Sequence, residues 1–308
     1  MRVLVTGASG WIGSAVVPEL LGAGHQVVGL ARSEESAAAL SDAGVEVHRG
    51  SLDDLDGLRD VAAASDGVVH LAFKHDIAFA GDYDGAVAAD RQAIEALATA
   101  LEGSDRPLVI ASGTTGVVSG RVATEEDGRE PDASAAAAIQ GRQANGQYVL
   151  SLASRGVRSC VLRLPPTVHG DGDNGFIATQ VVIARDKGVS GYIGDGVNRW
   201  PAVHRTDAAK LFRLAVEGAP AGSVLHAVDD EGVPVRDIAE VIGKHLNIPT
   251  VSITTDESGA HFGWLAGFLG IDSPASSATT RELMDWQPTQ PRLLIDLDAG
   301  HYFTPVRS

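Results

Sequence analysis

Cysteine is all but missing from this chain. Cys160 stands alone, which excludes an internal disulfide and any cysteine metal cluster. Its setting, the apolar run SCVLRLP, reads as a buried structural thiol rather than a nucleophile. Positive charge is scarce as well. The formal charge of −16 excludes an electrostatic nucleic-acid binder, which needs a basic face. No apolar run approaches the roughly 20 residues of a membrane helix. The chain opens with MRVLVTG directly in a strand pattern, without a signal segment, so a cytoplasmic location is expected.

What is present is an ordinary globular balance, 44% apolar and 21% charged residues over 308 positions. Short apolar runs at 2–7, 26–31, 45–50, 67–73, 107–113 and 157–165 read as strands. Amphipathic segments near 11–23, 34–43, 54–64, 82–102 and 134–155 separate them. This strict alternation predicts an α/β fold, a doubly wound parallel sheet with helices on both faces. Beyond 165 the rhythm changes to Gly- and Asp-rich loops, HGDGDNGF and GYIGDGVNRW, then a helix near 206–217 and a strand at 223–228.

VTGASGWIG, at 5–13, carries the first chemical signal. Gly7 permits a tight strand-to-helix turn, Gly10 lets the backbone approach a pyrophosphate, and Gly13 lets the helix pack close to the sheet. The helix N-terminus offers free N–H groups and partial positive charge. Ser9, Trp11 and Ile12 complete the turn.

The TGxxGxxG spacing resembles the short-chain dehydrogenase/reductase superfamily, in its extended branch of epimerases and dehydratases. The likeness runs along nearly the whole chain. GSLDDLDGL (50–58) is similar to the stretch that cradles adenine, with Leu52 at the contact. HLAF, with Leu71, Ala72 and Phe73, matches the cofactor-lining loop after the fourth strand. IASGTTG (110–116) matches the strand-five segment carrying an active-site Ser or Thr, and LRLPPTVHG (162–170), with Pro165, the exit beside nicotinamide. HFGWLA, TRELMDWQPTQP and DLDAGHYF resemble an atypical bacterial subgroup of epimerase/dehydratase-like proteins. The resemblance implies a Rossmann domain over 1–164 and 205–228 and a small substrate-binding cap over 165–204 and 229–308. A nicotinamide cofactor follows. Arg32 and Ser33 stand where NAD-preferring members place an acid, so NADP(H) is expected in preference, with NAD(H) as the alternative. Arg32 also reads simply as a surface arginine.

One part of the family pattern is missing. The superfamily's Tyr-x-x-x-Lys pair places a proton donor and a pKa-lowering cation on one helix face. Here the corresponding stretch is AIQGRQANGQYVLSLASRG (138–156). One register gives Ile139 and Gln143, the next Gln140 and Ala144. Tyr148 is followed by Leu152, not lysine, and points to the opposite face. The chain's only lysines are Lys74, Lys187, Lys210 and Lys244.

Three replacements present themselves. Ser112, Thr114 and Thr115 can polarise a carbonyl by hydrogen bonding. Arg142, near the face of Ile139, can stabilise an oxyanion. FKHDIAFAGDY (73–83) offers Lys74, His75 and Tyr83 as proton donors at the ligand edge. Ser112, Thr114 and Arg142 are therefore the catalytic expectation. His169, Arg199, Lys74 and Tyr83 are expected to meet the substrate, Arg199 because it resembles the arginine that grips nucleotide-sugar diphosphates. His169, Asp171 and Asp173 cluster, but fix no ligand geometry, so no metal is expected. Asp207 reads as capping a helix or anchoring the cap, and Phe176, Trp200 and Trp264 as lining an apolar pocket or packing it.

Two functions fit: an NADP(H)-dependent oxidoreductase or epimerase/dehydratase acting on a small-molecule carbonyl or hydroxyl with a non-standard proton donor, or an NADP(H)-binding sensor without turnover. The partner expected is a small-molecule substrate, with no nucleic acid and no membrane, in a monomer or a homodimer.

Overall fold

Strand and helix alternate from the first residues, as the apolar spacing requires. The computed structural model describes residues 1–128 and 137–304. β1 (Arg2–Thr6), α1 (Gly13–Gly22), β2 (Gln26–Ala31), α2 (Glu34–Asp42), β3 (Glu46–Arg49), α3 (Leu55–Ala63) and β4 (Gly67–His70) form the first half of a parallel sheet and its helices. A short α4 (His75–Phe79), the long α5 (Tyr83–Leu101), β5 (Pro107–Gly113), α6 (Ala137–Ser151) and β6 (Arg158–Leu164) follow. Next come β7 (Thr167–His169), α7 (Phe176–Lys187), β8 (Ser190–Ile193), β9 (Arg199–His204), α8 (Arg205–Gly218) and β10 (Ser223–His226). The chain continues with β11 (Asp230–Pro234), α9 (Val235–Leu246), β12 (Thr250–Ile253), α10 (Thr255–Phe262), α11 (Ala266–Leu269), α12 (Ala278–Met284) and α13 (Leu293–Asp298).

Seven parallel strands pair in the order β3-β2-β1-β4-β5-β6-β10. The order reverses between β1 and β4, and a crevice opens there outside the carboxyl ends of the strands. Period-two alternation splits the strand residues between two cores. Val3, Val5, Val69, Val109 and Leu162 pack with Val16, Leu20, Leu211 and Phe212 of α1 and α8. Leu4, Val68, Leu108 and Val161 face the other way, against Leu58, Ile94, Leu97 and Val149 of α3, α5 and α6. Each such side chain contributes about 1.5–3 kcal/mol on burial. No helix among the described residues is long and apolar enough to cross a membrane.

The cap is more regular than the sequence pattern predicts. The stretch GYIGDGVNRW, expected as loop, has β8 at one end and β9 at the other. β9 pairs with β7 and β11, and β8 with β12, in two small sheets. These strands are short and their partners are distant in the chain, so no local alternation marks them. Ile177 and Val181 of α7 pack on Ile238 and Ile242 of α9 and Leu293 and Leu297 of α13. Asp207 fastens the later chain to the sheet. Its buried carboxylate accepts N–H groups from Thr289 (3.0 Å) and Gln290 (2.9 Å), while His204, not Asp207, caps α8.

A second lock holds the loop after β5. Arg163 donates to the carbonyls of Asp127 (2.7 Å) and Gly128 (3.3 Å) and to His226 Nε2 (3.2 Å), and His226 Nδ1 pairs with the Ser276 carbonyl (2.8 Å). That pattern needs a neutral imidazole. Burial, helped by the charge of Arg163, pushes His226 down to about 4. In the unfolded chain the ring takes its proton near pH 6.5. Its contribution is therefore complete above that pH and is lost as pH falls toward 4. Urea unfolding near pH 7 and about pH 4.5 should show the wild type losing roughly 2–3 kcal/mol more than His226→Gln over this interval.

Candidate functional site

The crevice at the switch point is a single elongated cleft of about 1120 Å³. Its floor is the glycine turn. Gly7 adopts φ +68°, and a Cβ there would stand 2.8 Å from the Ala72 nitrogen; at Gly13 it would stand 2.1 Å from the Gly7 carbonyl oxygen. No side chain fits at either position without moving backbone. The turn thus brings the start of α1 close to the loop after β4, leaving room for an extended ligand along the strand ends.

The residues expected to hold a cofactor all line this cleft: Gly7, Ser9, Gly10, Trp11, Ile12 and Gly13 in the turn, Arg32, Ser33 and Leu52 beyond β2 and β3, Leu71, Ala72 and Phe73 after β4, and Pro165 after β6. Trp11 also donates its indole N–H to the Val168 carbonyl at 2.9 Å, and Arg205 lies 4.3 Å over its ring. Ser33 caps α2 in a reciprocal pairing with Ser36, which shares the cleft wall. The Arg32 side chain is 74% exposed and lies 3.4 Å from Asp76. An ion pair this open to solvent contributes little.

Ser112 and Arg142 both line the same cleft, and Arg142 bonds the carbonyl of Ala111, the residue before Ser112. Arg142 is fixed by a buried chain of polar groups that the sequence reading missed. The Thr6 hydroxyl accepts the N–H groups of Leu71 and Ala72, each at 3.2 Å, so its own proton turns to His70 Nδ1 at 2.8 Å. His70 Nε2–H is then left for Asp90, 3.1 Å away. The other Asp90 oxygen accepts from Asn145 (2.8 Å) and Arg142 (3.3 Å), and Arg142 also donates to the Ala111 carbonyl (3.0 Å). Its guanidinium lies 4.4 Å above the Phe73 ring. Burial pushes the Asp90 pKa up, but the His70 hydrogen bond and the Arg142 charge outweigh it, and the net direction is down. Asp90 falls on the buried stripe Ala86, Asp90, Ala93, Leu97 of α5. A lone acid on an apolar helix face is the signal that could have revealed it.

The same cation acts on two neighbours. Burial and Arg142 lower the pKa of His75, which lines the cleft and stays neutral near pH 7. Tyr83 does not line it. Burial raises its phenol pKa against the opposing pull of Arg142, and its ring stands 6.0 Å from Phe73.

Other expected residues lie elsewhere or are engaged. Thr114 is 1% exposed and does not line the cleft. Lys74 lines it, but pairs with Asp53 at 2.5 Å. Arg199 is outside the lining and bonds Asp272 through both Nε (3.1 Å) and Nη2 (2.9 Å). His169 is buried against Asp296, 2.8 Å away, which also holds His301. The Arg199 and His169 contacts build the cap, with partners 73 and 127 residues along the chain. The Ile139 side chain lies outside those described. Gln143, its companion in the family register, donates to the Gly116 carbonyl, and Tyr148 is covered by Arg91. Burial pushes the Cys160 thiol up to about 12, so it is inert.

A parallel sheet with a glycine turn at its switch point, roofed by a small cap, defines a dinucleotide-binding type of α/β architecture. The chain belongs to the NAD dependent epimerase/dehydratase family, whose model matches residues 3–227. An uncharacterized protein of Schizosaccharomyces pombe is 48% identical over 305 residues, covering 98% of this chain and 100% of its own. Another, of Saccharomyces cerevisiae, is 44% identical over 303 residues, covering 98% and 99%. Among solved structures, DesIV, a dTDP-glucose 4,6-dehydratase from Streptomyces venezuelae with NAD and TYD bound, superposes with a TM-score of 0.77 at 18% identity, covering 98% of this chain and 96% of that one.

If Arg142 is the counter-charge of Asp90, their effects on stability must be coupled. Arg142→Met should cost about 2–3 kcal/mol in urea unfolding, and the same change should cost under about 1 kcal/mol when made in Asp90→Asn.

Proposed function

We propose that this protein is an NADP(H)-preferring oxidoreductase or epimerase/dehydratase-like enzyme that acts on a carbonyl or hydroxyl group of a small molecule. The observation that carries the reading is that Ser112 and Arg142 both line the cleft that the glycine turn floors. The backbone at Gly7 and Gly13 packs too closely on neighbouring backbone to admit any side chain, and the start of α1 supplies N–H groups for a pyrophosphate. Arg32, Ser33 and Ser36 would take the adenosine end. An arginine in place of an acid suits a ribose 2′-phosphate, and its weak contact with Asp76 is readily exchanged for one. The bound cofactor would supply or accept hydride.

The chain's own groups then have definable work. Ser112 donates a hydrogen bond to the substrate oxygen. Arg142 uses two of its five N–H donors on Asp90 and Ala111, and its fixed charge stabilises negative charge developing on that oxygen. With Lys74 engaged by Asp53 and Tyr83 off the cleft wall, we assign proton transfer to His75. Phe73 and Pro165 restrict water beside the reacting carbon.

Titration with NADPH and NADH, read by transfer of tryptophan fluorescence to the reduced nicotinamide, should show NADPH bound at least about tenfold tighter, with Arg32→Ala abolishing the difference. Ser112→Ala should leave NADPH affinity unchanged and slow turnover about 100-fold. The lack of a Tyr-x-x-x-Lys pair favours a second reading, a cofactor-binding sensor. Tight NADPH binding with no carbonyl turnover, and no output change in Ser112→Ala, would decide for it.

A further inference from the structure

The cap half of the cleft differs in chemistry from the half around the glycine turn. Its walls include Pro165, Pro166, Phe176, Ile177 and Trp264. The Phe176 ring lies 5.5 Å from Trp264, 5.5 Å from Trp200 and 5.2 Å from Phe268. Trp200 is fully buried in this aromatic group, yet Trp264 at its edge is 49% exposed. An indole braced by packed aromatics and still open on a cleft is a wall suited to a flat or aliphatic apolar body.

Charge points the same way. Among the described residues the arginines and lysines on the cleft are Arg32, Lys74 and Arg142, and all three belong to the sheet side. The cap contributes one ionisable group to the lining, Asp173. The start of α7, whose free N–H groups would otherwise suit a phosphate, faces this carboxylate: Asp173 accepts the Gly175 N–H at 2.6 Å and the Tyr302 hydroxyl at 2.9 Å. A diphosphate entering here would meet an acid and no cation of the cap. Arg199, the cap arginine with the sequence credentials for a phosphate, is tied to Asp272. What the wall does offer is neutral. Thr167, Asn174 and Thr179, all uncharged, line it.

We infer that the substrate is an uncharged carbonyl compound with an apolar body of about ring size, packed against the exposed side of Trp264 beside Phe176, and that nucleoside diphosphate sugars are excluded. The inference rests on reading this cleft as a site of carbonyl chemistry.

Calorimetric titration of the full chain, with and without bound NADP⁺, separates the alternatives with propiophenone and UDP-glucose as probes. Propiophenone should bind, UDP-glucose should not bind at about 1 mM, and Trp264→Ala should weaken the ketone about tenfold. Because Trp264 is half exposed, its removal leaves the core intact. A parallel NADPH titration, read by nicotinamide fluorescence, tests the cofactor separately. Loss of NADPH binding with propiophenone still held would count against the cofactor reading and leave the substrate inference standing. UDP-glucose binding in place of the ketone would overturn it, as would an undiminished ketone affinity in Trp264→Ala or binding of neither probe.

Discussion

The carboxylate of Asp90 sits at the centre of α5, 3% exposed, and a charge so placed must be matched by hydrogen bonds and an opposite charge or the fold does not keep it ionised. The groups that match it come from four other elements. Thr6 ends β1, His70 ends β4, Asn145 and Arg142 lie on α6, and Arg142 reaches on to the carbonyl of Ala111 in β5. Thr6 is also the residue before Gly7, and its hydroxyl holds the N–H groups of Leu71 and Ala72, the loop that the glycine turn touches. One buried acid therefore fixes both the spacing of the strand ends around the cleft and the cation that faces into it. Helix α6 thus carries an arginine set by that acid.

The opposite wall depends on contacts of similar kind. His169 and His301 share Asp296, Tyr302 holds Asp173, and Trp11 of the glycine turn donates to Val168 of β7. Residues from the last part of the chain thus brace the loop between β7 and α7, where Asp173, Asn174 and Gly175 border the cleft. Burial raises the Asp173 pKa, and this low-dielectric setting makes each of these hydrogen bonds costly to lose. Two polar networks, one under the sheet edge and one in the cap, thus brace the two sides of the cleft.

Much of this was legible in the order of residues. Alternating apolar runs mark β1 through β6 and β10, because buried parallel strands must be apolar on both faces. The glycine triplet and the segments containing Leu52, Phe73 and Pro165 mark the ligand edge, because only strand ends and turns can approach a bound ligand there. The cap strands escaped, since three-to-six-residue pairings between distant segments leave no local period. Arg199 and His169 carry the residue types of ligand contacts, and nothing near them in sequence discloses Asp272 or Asp296.

The sequence by itself determined the doubly wound parallel sheet and the glycine turn at its first strand end, both of which follow from local periodicity and residue identity. Only the tertiary structure decided which charges remain available to a ligand. Asp272 removes Arg199, Asp53 engages Lys74, Asp90 fixes Arg142, and Asp173 answers the start of α7. The first three of these pairings are made across 73, 21 and 52 residues, and charge balance in a folded interior is settled by contact, not by spacing along the chain.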